Sequence, residues 1–233
     1  MLGIIGLGGT CHYEQSVRRL IPSNYYAVAA DSGLTHFKAL GIVPDLLVGD
    51  LDSISDALLK ESKKENIIIN QYNPQKNYTD SEIAVKKALS HGCESLLFIG
   101  AFGNRLDHML SNQMMAASLA AKGTQVVMTD GVTFMYTITT ENSPFIYPIK
   151  SFNANEDVFS IIPIIGDAVD ISLEGLEYQL INETIYVGST RAVSNTVKDI
   201  TIYGKRPEFA QVSVKSGVVL FIYTKSDEFL KAL

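Results

Sequence analysis

The sequence predicts two architectures in one chain: an α/β N-terminal part with a mostly parallel, Rossmann-like sheet, and an all-β C-terminal part built as an antiparallel sandwich. Three observations lead there. Through about residue 130, short apolar runs alternate with stretches of helical periodicity, the pattern of strands joined by crossover helices. After Gly131 the helical periodicity disappears. In its place come short β-branched and aromatic runs bounded by Gly, Pro, Asn or Asp. The expected domains are 1–131 and 132–233.

Taken in order, residues 2–7 read as a first strand and Gly8-Gly9-Thr10 as a turn. Residues 14–20 form a short helix ended by Pro22. A second strand at 26–30 runs into Asp31-Ser32-Gly33. The helix at 34–40 stops at Gly41, which sits where left-handed backbone terminates helices. Leu46, Leu47 and Val48 make a buried third strand, 55–65 a polar helix, and 67–69 a fourth strand. Residues 79–90 are amphipathic, capped by Thr79 or Asp80, with Ile83, Val85, Ala88 and Leu89 apolar and Gly92 just beyond. A fifth strand at 96–99 leads into Gly100-Ala101-Phe102-Gly103, followed by a long helix over 105–121 and a sixth strand at 125–128. In the C-terminal part, strands are expected at 133–139, 158–165, 169–173, 185–187, 199–203 and 217–223, and a short helix at 227–233.

With 233 residues, 46% of them hydrophobic, the chain is long enough for two cores. The formal net charge is -6 and there is no basic run, which argues against a nucleic-acid surface. Cys11 and Cys93 match no metal-ligand spacing and read as free thiols of a reducing, cytoplasmic compartment. The N-terminal MLGIIGLGGT lacks a basic flank and is read as a strand rather than a leader; no apolar stretch is long enough for a membrane span.

The chemistry gathers behind the strands of the first half. The stretch PDLLVGDLDS (residues 44–53) places Asp50 and Asp52 at the mouth of a buried strand. In extended backbone, residues i and i+2 share a side, so the two carboxylates would sit with Cα atoms roughly 6–7 Å apart. Paired acids of this kind call for a hard cation such as Mg2+, whose usual companion is a phosphate. The plainer alternative makes Asp50 and Asp52 loop acids, and Asp31 and Asp80 helix caps. The other loops add Gly8-Gly9-Thr10, Asp31-Ser32-Gly33, Lys76, Thr79-Asp80 and Gly100 through Arg105. In an open α/β sheet all of these line one crevice, where glycines let backbone N–H groups approach phosphate oxygens. Neither a G-x-G-x-x-G nor a Walker A motif is present. His12, His36 and His91 are read as structural or exposed, and Asp107 and His108 as first-turn helix residues.

Three segments resemble the thiamine pyrophosphokinase family: ADSGLTHFKALGIVPDLLVGDLDSIS (residues 30–55), QKNYTDSEIAVKKAL (75–89) and GAFGNRLDHMLSN (100–112). VSNTV (193–197) followed by VKSGVVLFI (214–222) is a weaker match. The resemblance implies a catalytic α/β domain that binds ATP and Mg2+, and a β-sandwich that helps bind thiamine. It further implies a homodimer with sites between subunits, and transfer of a diphosphate from ATP to thiamine, with AMP released. By the same resemblance Asp50, Asp52 and Asp80 are metal-associated acids and, with Asp31, the catalytic set. Gly33, Lys76, Arg105 and Asp107 fall to the phosphate/ATP site, and Ser194 and Asn195 to thiamine. Asn77 stands where the family commonly has aspartate, and Thr196 where it usually has glutamate. A diphosphokinase for a pterin-like alcohol and a non-catalytic sensor of nucleotide or thiamine diphosphate are the alternatives.

Overall fold

The computed structural model describes residues 1–73, 75, 77–103, 105–149, 157–197 and 207–225. By compactness the chain divides into Met1–Met115 with Val126–Gly131, and Ala116–Gln125 with Val132–Leu233.

The first unit holds strands β1 (Leu2–Gly6), β2 (Tyr25–Ala30), β3 (Leu46–Gly49), β4 (Ile68–Gln71), β5 (Ser95–Ile99) and β6 (Gln125–Thr129). Their order is β4-β3-β2-β1-β5-β6. The β1–β2, β1–β5, β2–β3 and β3–β4 pairings are parallel. Strand order therefore reverses between β1 and β5, the place where open α/β sheets open a crevice at their carboxyl edge. The Rossmann label fits this arrangement only loosely, since the glycine fingerprint of that fold is missing. Ile4, Ile5, Ala27, Val28, Leu47, Val48 and Phe98 are all fully buried, as continuous apolar runs covered on both faces should be.

Helices α1 (Glu14–Arg18), α2 (Leu34–Ala39), α3 (Asp56–Lys64), α4 (Asp80–Ser90) and α5 (Leu106–Ala120) make the connections. Their ends follow local chemistry. The Ser55 hydroxyl accepts the Leu58 N–H (3.3 Å) at the start of α3, and the Thr79 hydroxyl accepts the Glu82 N–H (3.2 Å) at the start of α4. Phe37 on α2 is wholly buried in a cluster with Ile4, Ala29, Leu47 and Leu97. Burying a side chain of this size stabilises by about 1.5–3 kcal/mol.

The second unit holds β7 (Thr133–Ile138), β8 (Phe145–Pro148), β9 (Val158–Glu174), β10 (Leu180–Ile185), β11 (Phe209–Ser213) and β12 (Ser216–Thr224). One layer runs β7-β12-β9 and the other β10-β9-β11-β8, with all of these pairs antiparallel. β9 belongs to both layers. Its first half pairs with β12 and its second half with β10 and β11. The expected separate strands at 158–165 and 169–173 are thus one element that bends at Gly166, where φ is +67°. Gly217 completes the bend, because a Cβ there would stand 2.5 Å from the Asp167 carbonyl oxygen.

Tyr136, Phe145, Tyr147, Phe159, Phe221 and Tyr223 fill the space between the layers. Their ring centroids lie 5.1 Å apart for Tyr136–Phe145 and 4.9 Å for Phe159–Tyr223. The Tyr223 hydroxyl donates to buried Asp157 (2.8 Å), which satisfies both groups. β8 and β11 were not expected from sequence, and the strand expected at 185–187 lies earlier, at Leu180–Ile185. The strand expected at 199–203 and the helix at 227–233 fall outside the described residues. Among the described residues no helix is long and apolar enough to cross a membrane.

Candidate active site

The acid wall of the crevice is built by two unusual backbone conformations. Asp31 follows β2 with φ +46° and opens a short 3-10 turn, Asp31–Gly33. Its Oδ1 accepts the Leu51 N–H at 3.0 Å. Gly49 makes room for it: φ is +148°, and a Cβ there would sit 1.8 Å from Asp31 Oδ1. Leu51 itself has φ +69°, a strained state for a branched side chain. The strain has a clear use. The Leu51 side chain stays buried in the core while Asp50 and Asp52 on either side line the cleft. The extended geometry expected for 50–52 is therefore corrected: the acids share a cleft because Leu51 turns left-handed, not because the strand continues. The Asp52 N–H donates to Asp50 Oδ1 (3.3 Å), and Gln71 Nε2 donates to the Asp50 carbonyl (3.1 Å). Asp80 is the first residue of α4 and lines the same cleft.

Electrostatics agree with the crowding. Burial, together with the charges of Asp80 and Asp50 and a hydrogen bond with Asp80, pushes the Asp31 carboxyl up to about 6 against the opposing Leu51 N–H. A hydrogen bond with Asp50 and the Asp50 charge raise Asp52. Carboxylates placed this close are relieved by a cation that neutralises their charge.

The opposite wall comes from the loops after β1 and β5, at the switch point. The Gly9 N–H donates to the Gly100 carbonyl (2.8 Å) and the Thr10 N–H to the Phe102 carbonyl (2.7 Å). A Cβ at Gly9 would lie 1.9 Å from the Phe102 oxygen, so only glycine permits the approach. A His36 ring nitrogen meets the Gly9 carbonyl at 3.0 Å and so donates to it. Burial holds His36 below its ordinary pKa, against hydrogen bonds to the Gly9 and Leu7 carbonyls. His36 is thus structural, as expected, but the structure it supports is the site.

Arg105 reaches the cleft just ahead of α5, and His108, Met109 and Asn112 reach it from the helix. The Asn112 side chain is buried and donates to the Ala101 carbonyl (3.4 Å). Arg105 and Asp107 form a two-pronged ion pair, Nε–Oδ1 3.0 Å and Nη2–Oδ2 2.6 Å, which pulls Asp107 below the carboxylate range and raises Arg105. Asp107 is exposed and outside the cleft lining. Gly33 also lies outside it, packed so tightly on β1 that a Cβ would be 2.1 Å from the Gly6 oxygen. Lys76 lies outside the described residues.

The cleft measures about 770 Å³, within the range of small-molecule sites. Sequence reasoning did not single out Tyr78, His108 or Asn112 as cleft residues. The only available signal was their position beside the glycines and Asp80. Among the described residues no three acid, imidazole or thiol groups form a complete ion cage.

In the second unit, Ser194 has φ +60°, and its N–H donates to Ser160 Oγ (3.1 Å). Asn195 is buried, with Oδ1 accepting the Tyr178 and Thr196 N–H groups (both 3.0 Å) and Nδ2 donating to the Tyr178 carbonyl (2.8 Å). Its side chain is a clip holding two segments together.

Residues 17–128 match the model of the thiamin pyrophosphokinase catalytic domain, and residues 147–219 that of the thiamin pyrophosphokinase vitamin B1 binding domain. The thiamine pyrophosphokinase of Bacillus subtilis is 27% identical over 172 residues, which cover 72% of this chain and 76% of that protein. A thiamin pyrophosphokinase of Caenorhabditis elegans is 23% identical over 77% of this chain and 74% of its own. Among solved structures, the Bacillus subtilis thiamine pyrophosphokinase superposes with a TM-score of 0.77 at 22% identity, covering 97% of this chain and 99% of that one. The Candida albicans thiamin pyrophosphokinase superposes at 0.71 with 14% identity, covering 96% of this chain and 90% of that one. Two adjoining domain models of one family, spanning most of the chain, place it: this protein belongs to the thiamin pyrophosphokinase family and is a pyrophosphate-transferring enzyme with that family's catalytic and vitamin B1 binding domains.

Proposed function

We propose that this chain transfers the diphosphate of ATP to the hydroxyl of thiamine, yielding thiamine diphosphate and AMP. The observation that carries the reading is the two-walled cleft at the sheet's switch point, with carboxylates facing a glycine-lined loop pair. Residues 1–131 would form the catalytic domain and 132–233 the thiamine-binding domain. A homodimer acting in the cytoplasm, with sites between subunits, completes the proposal.

The donor set fits a hard cation, because it is all oxygen and Asp50, Asp52 and Asp80 line one cleft, where Asp50 raises the pKa of Asp52. Asp50, Asp52 and Asp80 would hold Mg2+ beside the polyphosphate. When bound, the ion supplies positive charge that offsets the charge developing on the phosphate oxygens. The chain's own residues do the positioning. Glycine backbone at 8–9 and 100–103 lets the polyphosphate lie close, and Arg105 and Lys76 orient it. The thiamine oxygen bonds to the β-phosphorus while the bond from that phosphorus to the oxygen bridging toward the α-phosphorus breaks; AMP departs with that oxygen. Asp31 receives or orients the hydroxyl proton, a role suited to a carboxyl with a pKa of about 6. Ser194 meets thiamine on a loop that Asn195 holds in shape.

Product analysis with ATP, Mg2+ and thiamine tests the reaction. Thiamine diphosphate and AMP in equal amounts, lost in Asp50→Ala and Asp52→Ala, is the expected result. Release of ADP would overturn diphosphate transfer. Turnover only with a pterin alcohol would replace the acceptor, and ligand binding without turnover would make the chain a sensor.

A further inference from the structure

Tyr78 lies two residues before Asp80, lines the cleft, and is 51% exposed. It is also braced from one side. The Lys86 ammonium on α4 sits over its ring, 3.3 Å from the centroid, and the same ammonium pairs with Glu82 one turn earlier at 2.9 Å. Glu82 is itself tied to the helix cap, its N–H donating to the Thr79 hydroxyl. Ring, cation and carboxylate thus form a chain anchored on the first two turns of α4.

A cation on one ring face withdraws electron density from the whole π-system and weakens the negative potential of the face left open. That open face is a poor partner for a cationic heterocycle such as a thiazolium. It is a good partner for a neutral, electron-rich purine stacked in offset fashion. We propose that Tyr78, braced by Lys86, is the stacking platform for the adenine base of the nucleotide donor and so sets nucleobase affinity at this site. The inference rests on the proposed use of ATP and deepens it by assigning the base end of the cleft. Lys86 is a positioning residue that acts through Tyr78.

The test uses the full chain with Mg2+ and calorimetric titration of two probes: AMP, which carries the base, and inorganic tripolyphosphate, which does not. Tyr78→Ala is expected to weaken AMP about tenfold and to raise the KM for ATP comparably. Tripolyphosphate affinity and the KM for thiamine should stay at wild-type values. Tyr78→Phe keeps the ring and is expected to bind AMP as wild type does. Lys86→Gln should weaken AMP in the wild-type background and have no effect in Tyr78→Ala, the non-additivity of a shared contact. Equal weakening of AMP and tripolyphosphate, or a rise in the thiamine KM with AMP affinity unchanged, would overturn the proposal. Its failure separates from that of the reaction. If the wild type makes thiamine diphosphate but Tyr78→Ala binds AMP normally, only the platform is lost. If Tyr78→Ala loses AMP affinity in a protein that makes no thiamine diphosphate, the platform stands and the reaction falls.

Discussion

The two walls of the cleft reach the same end by opposite physics. The glycine wall is a region of close backbone approach whose hydrogen bonds are already made: Gly9 to Gly100, Thr10 to Phe102, His36 to Gly9. The acid wall holds its groups in conflict, with left-handed backbone at Asp31 and Leu51 and neighbouring carboxylates that raise the pKa of Asp31 and of Asp52. One wall is complete as it stands; the other carries negative charge that a bound cation would relieve. Substitutions should therefore damage the glycine wall through packing and the acid wall through charge, with one residue, Gly49, where the two mechanisms meet.

Gly49→Ala carries the largest expected effect. The new methyl would lie 1.8 Å from Asp31 Oδ1, so Asp31 must move and the Leu51 N–H loses its acceptor. Displacement of about 1 Å at a reacting centre lowers turnover about 100-fold, and the strained backbone adds ~1–3 kcal/mol of destabilisation. Steady-state kinetics and a thermal melt check both; turnover within a fewfold of wild type would show that the Asp31 placement is dispensable. Gly9→Ala comes next. Its methyl would clash with the Phe102 and Gly100 carbonyls, separating the two loops. Losing the two hydrogen bonds that join them should cost ~1–3 kcal/mol. The KM for ATP should rise with little change in the thiamine KM, the mark of a wall that serves phosphate alone.

Much of this was legible in the sequence. Alternation placed β1–β6 and α1–α5 within a few residues, because β1, β2, β3 and β5 are buried apolar runs and α3 and α4 carry side-chain caps at Ser55 and Thr79. The sandwich was less legible for local reasons. β8 reads FIYP directly after Pro144, and prolines before it and at its end disguise a strand. β11 buries only Ala210 and Val212, too little apolar signal to notice. Gly166-Asp167 looks like a turn, yet β9 runs through it because Gly217 opposite leaves the space. In the site, motif spacing brought Asp31, Asp50, Asp52, Asp80 and Arg105 to one cleft. The left-handed Leu51, the role of Gly49 and the brace on Tyr78 depend on tertiary neighbours, which no spacing encodes.

A smaller effect sharpens the contrast through pH. In the folded protein the Asp31 carboxyl titrates near 6 rather than its ordinary 3.8, so the folded state holds the proton more tightly than the unfolded chain does. Without divalent metal, stability should fall as pH rises from about 4 to about 6, by ~1 kcal/mol once solvent screening of this half-exposed group is counted. Asp31→Asn keeps an acceptor for the Leu51 N–H but carries no charge, so its stability should lack this component. Mg2+ added at pH 7 should restore stability to the wild type more than to the variant. Chemical denaturation across pH, with and without Mg2+, reads all three.

His36 should give the smallest effect, and with the opposite sign. Its folded pKa lies below the ordinary 6.5 because burial disfavours the charged ring, so the unfolded chain binds the proton more readily. Its contribution is therefore present above about pH 6.5 and fades as pH falls, while that of Asp31 fades as pH rises. His36→Gln can still donate toward the Gly9 carbonyl and should stay within ~1 kcal/mol of wild type. His36→Ala leaves that carbonyl without its donor beneath Gly100, and should lose ~1–2 kcal/mol with a raised KM for ATP. The double variant Asp31→Asn, His36→Ala should flatten the dependence of stability on pH between about 4 and 6.5. A residual slope as steep as that of the wild type would mean that other groups govern the titration of the cleft, and that the two walls do not divide its charge as their geometry implies.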